Sequence, residues 1–506
     1  MRWKNVAATT VMTLFVAACN GHAVLVETRT EDGALTSATE DGTSGDSVLA
    51  EKGAKGVDVG PGGTTSSSSG GSGAVGTASA GEANCATNSD PEQGFTADTL
   101  KLGTILPVTG ALRPLGEQTA RVMKLAVENL NRTENIPGPL GHLNWGCPDR
   151  PGIYGRKVSL KIFSLQANTP EEALAGMRRL IDVENVFMVR DCYLQTSLMG
   201  PASQYQNSKG VPGVWCHFSE MPYPQLAPWN YAPGTDPQVA SALHAGFLME
   251  KLNKKRLGIL ADPSSESNTV RVVRAVAEHF DHPIPEDCVI FKKAQEASNG
   301  MRAEIAALRT CYGGQAPDAV VALDALNGVF GAMEAARQGW RGQDVGVQWS
   351  CTGTSCWVQS LAELCGSACD GMLTDCQALP CVPFADPDKY PAVQSLQEAR
   401  ERSYPQEPED ILTYAPAAIT GGLALWLTMT GPELSRDAFR NTLATKIRNW
   451  SAGIGPILDI TASDHFGGKA VWLIRFTGGG EWFEDESGRF ITLDEVGVPY
   501  SVVTDG

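Results

Sequence analysis

From about Phe95 to the end, short apolar runs alternate with segments of helical period, and no other feature limits the fold as tightly. The strand candidates are Leu100–Leu106, Val158–Phe163, Val186–Val189, Gly213–Cys216, Leu257–Leu260, Val289–Phe291, Val320–Leu323 and Val345–Ser350. Helical patterns lie between most of them. Ala120, Met123, Val127 and Leu130 recur on one helical face. Thr169-Pro170-Glu171-Glu172 sets a capping hydroxyl, a first-turn proline and an acid three after the cap in a row, which predicts a helix start. Such alternation predicts α/β architecture, with parallel sheets covered by helices on both faces. Roughly 410 residues of it are too many for one sheet, so two α/β lobes are expected. Near the end, Val471–Phe476, then three glycines, then Glu-Trp-Phe-Glu read as a hairpin.

The chain before Phe95 has a different texture. Arg2 and Lys4 precede an apolar run, Val6 to Ala18, that is short for a bilayer span. It ends in Val16-Ala17-Ala18-Cys19, a pattern similar to a bacterial lipoprotein signal cut before a lipidated Cys19. The alternative is an ordinary secretory signal cleaved nearby. Residues 20 to about 94 are rich in Gly, Ser, Thr and Ala, too poor in apolar side chains to offset the entropy of ordering them. They read as a flexible acidic tether, with eleven acidic and three basic residues, a net of −8 against −17 for the whole chain. Its root-mean-square span is ~45–50 Å, from about 5–6 Å × √n. The Gly71, Gly73, Gly76 spacing inside it is a formal GxGxxG with no strand before it, so it is not a dinucleotide site.

The net charge of −17 argues against a nucleic-acid backbone or an anionic lipid surface as partner. Apart from Cys19 there are twelve cysteines, an even number, and an exported chain meets an oxidising compartment, so up to six disulfides are expected. Six of them crowd between Cys351 and Cys381 with no C-x2-C pair and no His between, a poor match to a zinc site. No metal or cofactor is expected. The uncharged stretch Ile411 to Pro432 contains Pro416 and a Gly421-Gly422 pair, and it reads as a buried helix. His279 and His282 read as surface residues.

The first strand breaks at Pro107-Val108-Thr109-Gly110, where ligands bind in open α/β sheets: on loops beyond the carboxyl ends of strands. This stretch resembles the start of the type 1 periplasmic binding proteins, and most of all the leucine/isoleucine/valine-binding proteins of ABC importers. The resemblance rests on Pro107, Thr109, Gly110, Gly116 and the helix end Val127-Glu128-Asn129-Leu130-Asn131, on Gly155-Arg156-Lys157-Val158, on Gly200-Pro201-Ala202-Ser203, and on Tyr414-Ala415. It implies two lobes joined by a hinge, with a small solute held in the cleft between them. Lobe one would be 95–235 with 378–455, and lobe two 236–377 with 456–506.

By position in that family, Thr109 lies on the first ligand loop. Thr196 falls where a hydroxyl holds a substrate carboxylate, with Gln195 and Ser197 beside it. Ser219 falls near a second contact of the same lobe. Asp262 and Glu266 follow one strand of lobe two, Asp324 and Asn327 the next, and Thr352 the one after. Leu115, Glu266 and Thr352 depart from the family pattern for branched-chain amino acids, so an acid such as Asp324 or Glu266 would have to meet an ammonium. A Cys192–Cys216 disulfide would stiffen the rim, and His217 lies beside the same loop.

The function implied is a lipid-anchored receptor that passes a small polar solute to a membrane permease. A sensory or cell-envelope regulatory lipoprotein on the same fold is the alternative. No G-x-S-x-G, H-E-x-x-H or P-loop is present, and no enzyme activity is expected.

Overall fold

Fourteen strands, most of them close to where the apolar runs place them, build two sheets and a two-strand junction among the described residues of a computed structural model. Those residues are 85–109, 113–132, 147, 150–190, 192, 196–215, 227–352, 356–377, 385–386, 391–448, 458–477 and 483–504. Cys19 and residues 20–84 lie outside them.

The first sheet has the order β2-β1-β3-β4-β5 and is wholly parallel. Its strands are β1 (Thr99–Pro107), β2 (Lys157–Leu165), β3 (Met188–Arg190), β4 (Gly213–Val214) and β5 (Asn230–Tyr231). Helices α1 (Arg113–Leu130), α2 (Pro170–Arg178) and α3 (Thr196–Ser208) connect them. The capping signal before α2 works as read: Thr169 Oγ1 accepts the Glu172 N–H at 3.3 Å. Gly116 is required one turn into α1, because an added Cβ would lie 1.8 Å from the Pro107 carbonyl oxygen.

After β6 (Gly234–Thr235) the chain enters the second sheet, order β14-β13-β11-β10-β9-β7-β8. It contains β7 (Leu257–Ala261), β8 (Val289–Phe291), β9 (Ala319–Ala322), β10 (Gln348–Cys351) and β11 (Leu373–Cys376) in parallel. Following β12 (Gly467–Gly468), the hairpin β13 (Ala470–Phe476) and β14 (Phe483–Thr492) closes the sheet antiparallel. Here α4 (Pro237–Gly246), α5 (Arg271–His279), α6 (Ala325–Arg337) and α7 (Gln359–Cys365) supply the helical cover. β10 starts at Gln348 rather than Val345, because Gly342–Val345 is a short helix that ends on left-handed Gly346.

The chain crosses between the sheets at three places that meet. Gly467–Gly468 pairs with Gly234–Thr235, and the Thr235 hydroxyl contacts the carbonyls of Gln377, at 2.9 Å, and Ala470. Beside them His465 stacks on Tyr231 at 4.1 Å, and its Nδ1 lies 2.7 Å from the Asn230 carbonyl.

Helices α8 (Pro391–Ser403), α9 (Ile411–Thr430) and α10 (Arg436–Lys446) follow β11. Leu412–Thr430 of α9 is long and apolar enough to cross a membrane, and it packs on protein instead. Leu412, Tyr414 and Ala418 belong to the core of the second sheet, while Leu423, Trp426 and Leu427 belong to the core of the first. One helix therefore serves both cores. At its start Asp410, fully buried, accepts Gln118 Nε2 from α1 at 2.9 Å, its own Leu412 N–H at 3.1 Å, and the Gln359 N–H from α7 at 3.1 Å.

Burial pushes the Asp410 carboxyl up to about 7, against the pull of those donors. The folded state thus keeps a proton that the unfolded chain has lost, and stability falls as pH rises from about 4 to about 7. Denaturation midpoints of the wild type and Asp410→Asn, compared from pH 5 to 8, should show the wild type losing ground by up to about 1.4 kcal/mol per pH unit. A difference that stays flat with pH refutes this.

Residues 85–94 are part of the folded body, although their composition reads as the end of the tether. Cys85 is bonded to Cys147, Ala86 is buried, and Pro91–Gln93 forms a short helix capped by Asp90. The texture of the sequence hides this, because a distant cysteine and Arg156 supply the anchors. The other described bridges are Cys288–Cys311, Cys351–Cys356 and Cys365–Cys369, so the crowded cysteines form disulfides. Cys192 and Cys376 are also disulfide-bonded.

Candidate functional site

Three parallel strands of the second sheet end side by side, and the residue or two beyond each end is polar. Asp262 follows β7, Asp324 follows β9 and Thr352 follows β10. The Thr352 N–H donates to the Ala322 carbonyl at 2.9 Å, which holds this end of β10 against β9. The Cys351–Cys356 bridge brackets Thr352, and Gly328 on α6 makes room for it: a Cβ there would lie 2.7 Å from Cys351 Sγ.

Asp324 caps α6. It accepts the Asn327 N–H at 2.8 Å and Asn327 Nδ2 at 2.7 Å. Asn327 is fully buried, and its Nδ2 also donates to the Lys292 carbonyl at 2.9 Å. Both amide hydrogens are used, and Oδ1 has no hydrogen-bond partner. Burial pushes the Asp324 carboxyl up to about 6; the bonds from Asn327 oppose this, and the charge of Asp262 adds to it.

Asp262 does a different job. One oxygen accepts the Ser264 N–H at 3.0 Å and its hydroxyl at 2.7 Å, and the other accepts the Ala294 N–H at 2.9 Å. It shapes the loop and contributes charge to Asp324. Glu266 lies exposed in the turn that follows, and its charge acts on Arg274.

The first sheet presents its own strand-end loops. Thr109 donates from its hydroxyl to the Gln166 carbonyl, and Asn168 Nδ2 donates to the Thr109 carbonyl at 3.3 Å. Glu172 gathers the loop after β2 by accepting the N–H groups of Gln166, Ala167 and Asn168 at 2.7, 2.8 and 3.0 Å. Asn168 and Glu172 were not among the sequence candidates; the capping motif pointed to Glu172 only as a helix residue. Thr196 and Ser197 open α3. Gln195, His217, Ser219 and Cys216 lie outside the described residues. The structure thus joins Asp262, Asp324, Asn327 and Thr352 in one group and ties Thr109 to the loop after β2.

Residues 99–481 match a family model described as periplasmic binding protein. The chain belongs to the periplasmic binding protein family. Its fold is the expected type 1 form with two mainly parallel sheets, and the family binds solutes and is not enzymatic. Among solved structures, a possible leucine/isoleucine/valine-binding protein from Rhodopirellula baltica is similar, with TM-score 0.62 and 14% identity over 79% of this chain and 98% of that one. A leucine-binding protein from Thermotoga maritima has TM-score 0.60 and 16% identity, over 78% and 100%. A fatty acid ABC transporter substrate-binding protein from Thermomonospora curvata has TM-score 0.59 and 18% identity, over 79% and 92%. Curated protein sequences give no match.

Proposed function

We propose that this periplasmic binding protein is a lipid-anchored extracytoplasmic receptor that captures a small polar solute, an amino acid, an amide or a similar compound, and delivers it to an ABC permease. The lobes are the two sheets with their helices, and the three meeting crossings are the hinge. Leu458 and Ile460 pack in the first core, which draws the last crossing to Gly467–Ala470. The names of the similar structures support transport as the role, and they span leucine and fatty acid as ligands.

The observation that favours a polar solute is the pairing of Asp324 with Asn327 at the strand ends. It sets a carboxyl pushed up by burial beside a buried amide oxygen that lacks a donor. A ligand ammonium or amide N–H meets both needs. Thr109, Thr196, Ser197, Gln195 and Ser219 would hold the other end of the solute from lobe one, with Asp262, Glu266 and Thr352 framing the loops of lobe two. Cys19 would carry the acyl chains, and the acidic tether would let the body stand off the membrane.

A thermal-shift panel on residues 20–506 tests the reading, with amino acids, amides, urea, aromatic acids, fatty acids and short peptides. A true solute should add RT ln(1 + [L]/Kd), about 2.7 kcal/mol at a hundredfold excess over Kd. No response across the panel would sink the transport reading. For a cationic solute the affinity should depend on pH in a set direction. Asp324 holds its proton up to about pH 6, so binding an ammonium must expel it, and affinity should drop by up to about tenfold per pH unit below that point. Asp324→Asn should abolish this dependence, and a profile unchanged in the variant would remove Asp324 from the site.

A further inference from the structure

The crowded cysteines have no part in the solute chemistry above, yet one of their bridges joins two places that matter. Cys351–Cys356 starts beside Thr352 and ends one residue before Trp357. Trp357 is fully buried and stacks on Tyr414 of α9, with centroids 6.5 Å apart and planes 23° apart. Val358 and Leu361 share the same core cluster with Leu412 and Ala418 of α9 and with Leu115 of α1. The Gln359 N–H, two residues on, donates to Asp410 Oδ2 at 3.1 Å, and Gln118 of α1 holds the other oxygen of that carboxylate. Alongside, Arg121 of α1 pairs with Glu407 through two bonds of 2.6 and 3.0 Å.

A segment anchored on the second sheet therefore grips the start of a helix whose other end lies in the core of the first. It does so at a buried carboxylate and a buried ring stack. A hinge alone leaves two bodies free to swing, and a contact far along the chain from the crossings is what sets a preferred arrangement. The disulfide transmits position: it ties Cys351, next to Thr352 at the solute site, to Cys356, next to Trp357 at the grip.

We propose that Trp357–Gln359 is an interlobe latch, with Tyr414 and Asp410 as its catch, which holds the two lobes in the arrangement seen here and links it to the solute loop at Thr352. This rests on the two-lobe reading above. The latch acts without touching solute, so it changes affinity through the balance of arrangements.

Spin labels on ketone-bearing residues at exposed positions Glu171 of α2 and Glu278 of α5 report the distance between lobes without added cysteines. The wild-type chain should give one dominant distance. Trp357→Ala should add a second, longer population, since loss of a buried aromatic anchor shifts such a balance by roughly thirtyfold or more. Tyr414→Leu keeps an apolar side chain in the core and removes the stack. It should move the distribution the same way and serves if the first variant does not fold. Identical distributions in wild type and either folded variant overturn the latch, as does a broad wild-type distribution. Failure of the solute panel would leave this measurement untouched, so the two readings fail separately.

Discussion

Arg156→Ala is expected to destabilise the folded body by about 3–5 kcal/mol, read as a lower urea midpoint in tryptophan fluorescence. The side chain is 2% exposed, so water cannot replace what it gives. Its Nε donates to the Thr96 carbonyl at 2.7 Å, Nη1 to the Pro432 carbonyl at 2.9 Å and Nη2 to the Asn88 carbonyl at 3.0 Å. The guanidinium also lies 5.2 Å from the centre of the Phe95 ring. Truncation would leave three half-buried carbonyls without this donor, in the N-terminal strap, the entry to β1 and the turn after α9. Arg156→Lys keeps the charge and loses the fork, so it should recover only part of the loss. A drop below about 1 kcal/mol for the alanine variant would mean that the strap is held by Cys85–Cys147 without help.

His244→Ala should cost a similar amount, about 3–5 kcal/mol, because it strands two polar partners inside the second core. His244 Nδ1 lies 2.5 Å from Ser350 Oγ, and Nε2 lies 3.2 Å from Asp375 Oδ1; all three residues are fully buried. The cluster resembles a catalytic arrangement in its residue types only, since no substrate could reach it. Its work is to fix β10 and β11 against α4, and Ser350 lies two residues before Thr352. His244→Ala should therefore also weaken solute binding, whereas a substitution at exposed Lys251, just beyond α4, should not. Equal stability of the variant and the wild type would show that the cluster is dispensable.

The sequence announces the sheets because parallel strands are buried on both faces and read as unbroken apolar runs. Leu257–Ala261 and Ala319–Ala322 are buried at every position, and both were legible. β11 was not: Leu-Thr-Asp-Cys looks like a loop until His244, from a distant helix, is found beside Asp375. β5 has two residues, too few for any period to show. The site was legible in its placement and less so in its roles. An acid after a strand is the same letter whether it caps a helix, as Asp324 does, or shapes a loop, as Asp262 does. Which oxygens remain free depends on partners such as Ala294 and Asn327. The latch was hidden for the same reason, because Gln118, Gln359 and Asp410 come from three parts of the chain and meet only in space.

The claim on which the rest depends is capture of one solute by both sheets at once. Hydrogen–deuterium exchange on residues 20–506, with and without the panel compound that stabilises the chain most, tests it directly. Slowed exchange both at Val108–Thr109 and at Ala325–Gly328 with Thr352 is the expected result. Protection on one sheet alone, or at neither set of strand ends, would contradict it.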